Sequence, residues 1–219
     1  MSIALSLGNN LTTNGVFKPA AVNNTSVNNV TTFASVPGGG ALILLSTQTA
    51  SASASIEFTS GIDSTYDSYI FKIINCHPAS DNRLFQFNGS TDGGSTYAVT
   101  KTTTNFKATH DEADTSTNLT YDTGNDLAQS TADQRLAEGV GADADQNVSG
   151  TLQLFNPSST TYVKHFIARF NTSEGANYTV ETHIAGYFNT TSAIDAIIFK
   201  FLSANIDDGI IKMYGVKKS

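Results

Sequence analysis

From residue 41 onward, short runs of apolar and hydroxyl residues alternate with compact polar turns. Residues 53–59 and 150–155 place apolar side chains at every second position, which is the period of a half-buried strand. Residues 66–76 are apolar nearly throughout, as in a strand that is covered on both faces. No helical crossover separates these segments. The pattern therefore excludes a parallel βαβ sheet and predicts an all-β fold for residues 41–219, an antiparallel, jelly-roll-like β-sandwich.

The pattern also predicts how two parts of this domain are arranged. Residues 83–106 contain two strand-like runs around a glycine-containing turn, which predicts a β-hairpin. Residues 107–149 contain few large apolar residues and many acidic ones, so we expect a long loop insertion, in which residues 126–137 are a candidate for a short helix. Long insertions are usually functional or mobile, and this one is a candidate contact surface.

Residues 1–40 differ in character from the rest of the chain. They are polar and asparagine-rich, show no persistent period and end in the triple glycine at 38–40, which is typical of a hinge. Composition alone fits a disordered leader. We favour an extended N-terminal arm that lies against a partner chain. The first residues lack the basic region of a signal peptide, and the longest apolar run, at 41–45, is too short for a membrane helix, so no membrane insertion is expected.

The charge balance limits the partners that the chain can bind. Its formal net charge is −7, and charged residues make up only 14% of the chain, against a typical share of about 25%. Proteins that bind nucleic acid carry clustered Lys and Arg to neutralise phosphates, and no such cluster is present. The acidic balance also disfavours an anionic membrane surface. We therefore expect neither nucleic acid nor a membrane as a partner.

Motifs for catalysis or metal binding are not found in the sequence. Cys76 is the single cysteine and is interpreted as a small buried hydrophobe. Residues 110–114 could offer carboxylate and imidazole ligands to a metal, and residues 143–147 resemble the beginning of a calcium loop, but the interpretation as solvated loops is favoured. The four histidines lack ligand spacing, and no serine lies in a nucleophile elbow. We predict no catalytic residue, no metal ligand and no cofactor, although a pair of opposed carboxylates, as in a glycoside hydrolase, stays open.

Carbohydrate binding is a further alternative, because exposed aromatic rings often stack on sugars at the loops of β-sandwiches. Tyr97, Tyr121 and Tyr178 lie nearest to predicted loops and are the candidate glycan contacts. The remaining tyrosines and phenylalanines lie mostly within strands, where core packing accounts for them.

Four segments carry a resemblance to virion structural proteins of tailed, marine-type bacteriophages. They are SIEFTSGIDSTYD at 55–67, LFNPSSTT at 154–161, AGYFNTT at 185–191 and GIIKMYGV at 209–216. The similarity spans residues 41–216, and the N-terminal 40 residues match less clearly. Members of this group are described as tail-fibre-like or unassigned particle proteins, and they carry no catalytic motif.

The resemblance implies a non-enzymatic virion protein that is made in the host cytoplasm and exposed on the virion surface. It implies a homo-oligomer, which we expect to be a trimer, bound to the major capsid protein or to tail proteins. Phe17, Phe33 and Pro37 are the candidate particle-anchoring residues of the arm. Capsid decoration, or a head fibre, is the favoured role because the chain is short and lacks a repetitive shaft. The alternative is a tail-fibre tip that recognises a host surface glycan.

Overall fold

The computed structural model describes residues 12–13, 16–17 and 41–217 of the 219-residue chain. The chain divides into two units, residues 1–39 and residues 40–219. In the first unit, β1 (Thr12–Thr13) pairs antiparallel with β2 (Val16–Phe17). Between residues 41 and 217 the second unit contains strands and no helix. Its strands are β3 (Leu42–Ser53), β4 (Ile56–Phe58), β5 (Ser68–Pro78), β6 (Arg83–Ser90), β7 (Lys101–Asp111), β8 (Thr117–Tyr121), β9 (Gln134–Val140), β10 (Val148–Phe155), β11 (Lys164–Glu174), β12 (Tyr178–Phe188), β13 (Ala196–Phe201) and β14 (Ile206–Val216).

The strands of the second unit form two antiparallel layers. The larger layer has the order β3-β14-β5-β10-β11-β12-β7-β8, and the smaller layer has the order β4-β13-β6-β9. The layers join where Val140 of β9 pairs with Glu174 of β11. The twelve strands are thus one hydrogen-bonded sheet that folds over itself and nearly closes into a barrel. This arrangement confirms the predicted all-β class and its antiparallel, jelly-roll-like sandwich.

A cluster of phenylalanine rings fills the space between the two layers. Four rings surround Phe199 of β13 at centroid distances of 5.5–6.3 Å: Phe58, Phe71, Phe85 and Phe87. Phe71 comes from the larger layer, whereas the other rings come from the smaller one. Burying one such ring stabilises the fold by about 1.5–3 kcal/mol, so the cluster holds the layers together.

The predicted long loop at 107–149 is wrong, and the candidate helix at 126–137 does not form. The segment includes the end of β7, all of β8 and all of β9, and β9 lies in the smaller layer next to β6. Inside the core, β9 contributes only Leu136, Ala137 and Val140, which are fully or almost fully buried. Gly139 has a φ of +66°, a conformation that favours glycine, at the irregularity in the β6–β9 register. With so few large apolar residues, the strand resembles a loop in sequence.

The predicted hairpin at 83–106 is also wrong, because β6 and β7 lie in different layers. β6 pairs with β13 and β9, whereas β7 pairs with β12 over eleven residues and with β8 on its other side. The turn at Asp92 does form, and the Asp92 carboxylate accepts hydrogen bonds from Ser90 and from the backbone N–H of Thr96. Residues 95–100 then carry the chain from the smaller layer to the larger one without forming a strand.

Cys76 is fully buried in β5, which confirms its interpretation as a core residue. Burial raises the pKa of its thiol to about 12, and the carboxylate of Asp208 adds to this shift. The thiol is therefore protonated at neutral pH. Since the thiolate is the reactive form of cysteine, the thiol of Cys76 should be unreactive in the folded protein. Within the described residues, no helix is long and apolar enough to cross a membrane.

Candidate functional site

The outer face of the larger layer, which points away from the smaller layer, exposes a row of mainly uncharged side chains. The strand registers place seven residues side by side across seven strands: Leu44, Tyr214, Ile70, Gln153, Ile167, Ala185 and Thr104. Their neighbours along each strand point inward, as the buried Phe71 and Phe166 show. Leu44 is 52% exposed and Ile167 is 55% exposed. We call these seven residues the outer row.

A second group of exposed apolar residues lies on the same face, where β7 pairs with β8. Phe106 pairs with Tyr121 in this hairpin, and its ring stacks on that of His183 at a centroid distance of 4.8 Å. Leu119 of β8 is 73% exposed. Scattered apolar residues are normal on protein surfaces, but here they lie on one face together with the outer row. The outer face is thus a candidate contact surface.

The edge of the larger layer at β3 is the second notable surface. β3 pairs with β14 on one side only, and no strand pairs with its other side within the part of the chain that the structure describes. Exposed edge strands usually carry charged residues or proline, which discourage pairing with other chains. The twelve residues of β3 include neither. The opposite edge, β8, has only five residues.

The three candidate glycan contacts do not form one site. Tyr97 is half-buried, and its hydroxyl donates to Glu57 Oε2 at 3.1 Å. Tyr121 lies on the outer face, and its hydroxyl donates to Asp126 Oδ2 at 2.8 Å. Tyr178 pairs with Asp111 across β12 and β7, at a register position that faces the opposite side of the sheet from Tyr121. A shared sugar platform is therefore absent.

Tyr178 instead borders a shallow groove of about 290 Å³ at one end of the larger layer. Its other lining groups are polar: His110, Asp111, Glu112, Asn171, Thr172, Ser173 and Thr179. Thr172 Oγ1 is buried here without a hydrogen-bond partner. The groove thus combines one aromatic ring with amide, hydroxyl and carboxylate groups, which are the groups that hydrogen-bond to sugars.

The acidic residues near this groove have a structural role in the β7–β8 turn. Asp111 Oδ1 accepts hydrogen bonds from the backbone N–H groups of Thr115 and Ser116, at 2.9 and 2.8 Å. The Thr115 hydroxyl also donates to this carboxylate. These hydrogen bonds, that of the Thr115 side chain first, lower the pKa of Asp111. Among the described residues, no three His, Cys, Asp or Glu side chains converge as metal ligands would.

The candidate anchoring residues belong to the first unit. Phe17 is the last residue of β2. Phe33 and Pro37 lie outside the described residues. Particle anchoring by the arm stays a prediction.

The outer row and the buried lysines are features that were not predicted from the sequence. The sequence contained one signal for the outer row. In β11, Ile167 lies between the inward-facing Phe166 and Ala168, at an outward-facing position where an alternating strand usually has a polar residue. Lys101 and Lys164 are fully buried at the starts of β7 and β11. No sequence signal marks them, because lysine is seldom buried.

The chain matches no protein-family model, no curated protein and no solved structure. Its function must therefore be inferred from its surfaces and from its internal chemistry.

Proposed function

We propose that this chain is a non-enzymatic structural protein of a tailed-phage particle, exposed on the virion surface as a homo-oligomer, with capsid decoration as the favoured role. The observation that carries the proposal is the combination of an uncharged edge strand, β3, with exposed apolar residues such as Leu44 and Ile167 on the outer face of the same layer. The resemblance of four segments to virion proteins supplies the biological setting. A durable antiparallel sandwich suits a protein that has to persist rather than turn over.

Second copies of the same chain are the proposed occupants of the outer face and the β3 edge. The chain carries a net charge of −7, so copies repel each other at most surfaces. β3 carries no charge, and contact between two copies there brings no like charges together. Symmetric oligomers hide sheet edges in this manner.

The size of the outer face agrees with that of a specific interface. Seven strands that are about 4.8 Å apart span about 29 Å, and eight residues of strand span about 27 Å. The resulting area, about 800 Å², equals the area that one partner typically buries in a stable complex. A trimer remains the expected oligomer.

Sedimentation of the purified protein tests the oligomer. We expect the wild-type chain to sediment as an oligomer, and Leu44→Lys and Ile167→Lys to shift it toward the monomer by placing charges in the contact. Leu202→Lys is the matched control, because Leu202 is 44% exposed but lies in the turn after β13. A monomeric wild-type chain, or equal effects of all three substitutions, would contradict the assigned surface.

Cryo-electron reconstruction of the particle tests the setting. Density that repeats over the capsid shell is expected for decoration, whereas density at the tail alone supports a fibre.

Deleting residues 1–36 should leave a folded sandwich that no longer joins particles. Full incorporation of the truncated protein would refute anchoring by the arm.

The groove beside Tyr178 favours a second candidate function, a tail-fibre tip that recognises a host surface glycan. In that case Tyr178→Ala should abolish binding on a glycan array, whereas Tyr162→Ala should not, since Tyr162 is exposed but does not line the groove. Absence of any bound glycan for the wild-type chain would remove this candidate.

A further inference from the structure

Lys101 is a lysine in an unusual place. It is the first residue of β7, its side chain is fully buried, and its Nζ lies 5.6 Å from the centre of the Phe188 ring. Nζ donates to Asn88 Oδ1 at 2.7 Å and to the carbonyl oxygen of Val99 at 2.9 Å. Buried lysines usually pair with a carboxylate. Here the group in direct contact with the amine is a side-chain amide.

The amide of Asn88 is held on all sides. Asn88 lies in β6 and is fully buried. Its Oδ1 also accepts a hydrogen bond from the backbone N–H of Gly89 at 2.9 Å. Its Nδ2 donates to Asp133 Oδ1 at 2.9 Å and to the carbonyl oxygen of Thr131 at 3.1 Å. The orientation of the amide is therefore fixed, with its oxygen toward the lysine and its nitrogen toward a carboxylate.

We propose that Lys101 and Asn88 react with each other to form an intramolecular amide bond, with Asp133 as the catalytic residue. The lone pair of Lys101 Nζ attacks Asn88 Cγ and forms the new C–N bond. Asp133 transfers a proton from the attacking nitrogen to Nδ2, and the bond between Cγ and Nδ2 breaks. Nδ2 leaves as ammonia. One primary amine and one primary amide thus give one secondary amide and one ammonia, without an oxidant, a cofactor or any other reactant.

Each group around the amide assists one part of this reaction. The N–H of Gly89 points at the oxygen on which negative charge develops, as in an oxyanion hole. A Cβ at Gly89 would lie 2.8 Å from the Phe188 ring, so this ring packs directly against the backbone beside Asn88. Burial lowers the pKa of Lys101 to about 8, although the nearby Asp133 opposes this shift. Part of the amine is therefore uncharged near neutral pH, as a nucleophile must be.

Position alone accelerates such a reaction strongly. When two reacting groups are held side by side in the correct orientation, each reacts as if the other were present at a concentration on the order of 10⁵ M or more. Ammonia escapes to solvent, so the step does not reverse. The bond would link β6 of the smaller layer to β7 of the larger layer. This inference does not depend on the proposed function, although a covalent link suits a persistent structural protein.

Lys164 provides an internal comparison. It is equally buried, and burial lowers its pKa as well. Its Nζ donates to the carbonyl oxygens of Tyr162 and Thr190, at 2.8 and 3.0 Å, and makes no hydrogen bond to a side-chain amide among the described residues. Burial alone therefore does not create the reactive arrangement, and Lys164→Arg is a matched control.

Mass spectrometry of the intact, full-length protein tests the proposal. The wild-type chain should be lighter than its sequence by one ammonia molecule, and Lys164→Arg should show the same loss. Lys101→Arg and Asp133→Asn should have their full sequence masses. A wild-type chain that keeps its full sequence mass after prolonged incubation at neutral pH would overturn the proposal, whether or not the variants fold.

Peptide mapping separates the cross-link from the other reaction that releases ammonia here, succinimide formation at Asn88–Gly89. Chymotrypsin cuts after Phe87 and Tyr97, so digestion of the denatured protein places Asn88 and Lys101 in different peptides. The proposal requires these two peptides to be joined in the wild-type digest. Loss of ammonia with two separate peptides would assign the loss to the succinimide and would refute the cross-link.

Discussion

Replacing Asp133 with Asn removes the carboxylate that contacts Asn88 Nδ2 and leaves a side chain of nearly the same size. The amide oxygen of the new residue can still accept the hydrogen bond that Asp133 Oδ1 now accepts at 2.9 Å. The proton carrier is lost, however, so the bond between Lys101 and Asn88 should not form. The stability of this variant measures what the cross-link contributes.

The size of that contribution follows from the length of the loop that the bond closes. Asn88 and Lys101 are 13 positions apart. A cross-link that closes a loop of about 15 residues stabilises a protein by about 3 kcal/mol, because the unfolded chain loses conformational freedom. For a domain of 150–250 residues, 1 kcal/mol shifts Tm by about 2–4 °C, so we expect Tm to fall by about 6–12 °C.

The substitution also removes an ion pair between Asp133 Oδ2 and Lys200 Nζ, which are 2.9 Å apart and partly exposed. Such pairs contribute about 0.2–1 kcal/mol. Lys200→Gln is the matched control, since it removes the ion pair and leaves the reacting groups in place. Thermal unfolding followed by circular dichroism gives Tm for all three proteins. If Asp133→Asn lacks the cross-link by mass yet unfolds at the same temperature as Lys200→Gln, the loop-closure argument is refuted.

Three further predictions concern the core, the thiol and the acidic turn. Phe199→Ala should reduce the free energy of unfolding by about 3–5 kcal/mol in urea titrations, because four rings lose their central contact. The control Phe106→Ala should reduce it far less, because Phe106 is exposed. Cys76 should resist thiol reagents at pH 8 in the native protein and react at once in denaturant, since burial raises its pKa to about 12. Fast labelling of the native protein would contradict the buried position of Cys76 in the core. Hydrogen bonds lower the folded-state pKa of Asp111, so the β7–β8 turn should stay ordered above the ordinary pKa of 3.8 and loosen as pH falls through the lower folded value. NMR shifts of the Thr115 amide across that range check the sign.

The fold class could be predicted from the sequence because the period-two pattern is a local property. In β11 and β12, apolar side chains alternate with polar ones, and the buried residues Phe166, Phe170 and Ile184 lie at the positions that this alternation indicates. β9 could not be predicted, because Gln134, Arg135 and Glu138 give it the composition of a loop. Only its place between β6 and β11 makes it a strand.

The partners of each strand could not be predicted, because pairing depends on distant parts of the chain. The turn at Asp92 has the local signs of a hairpin, yet the eleven-residue ladder with β12 holds β7 in the other layer. The same limit applies to the reactive pair. Lys101 and Asn88 are near in sequence, but their contact requires two layers to face each other, and the third member, Asp133, lies 45 positions from Asn88.

The position of the reactive pair has a physical reason within the sandwich. Between β5 and β13 the layers are held by aromatic rings, but the inward-facing side chains at the start of β7 are Lys101, Thr103 and Asn105, which are buried and polar. Hydrogen bonds such as that from Thr103 Oγ1 to Gln134 Oε1, at 2.7 Å, replace the hydrophobic contacts there. Hydrogen bonds add less net stability than buried rings, so β7 should be held to the smaller layer less firmly than β5 is. A covalent bond at Lys101 would therefore reinforce the sandwich at a strand whose buried residues are polar.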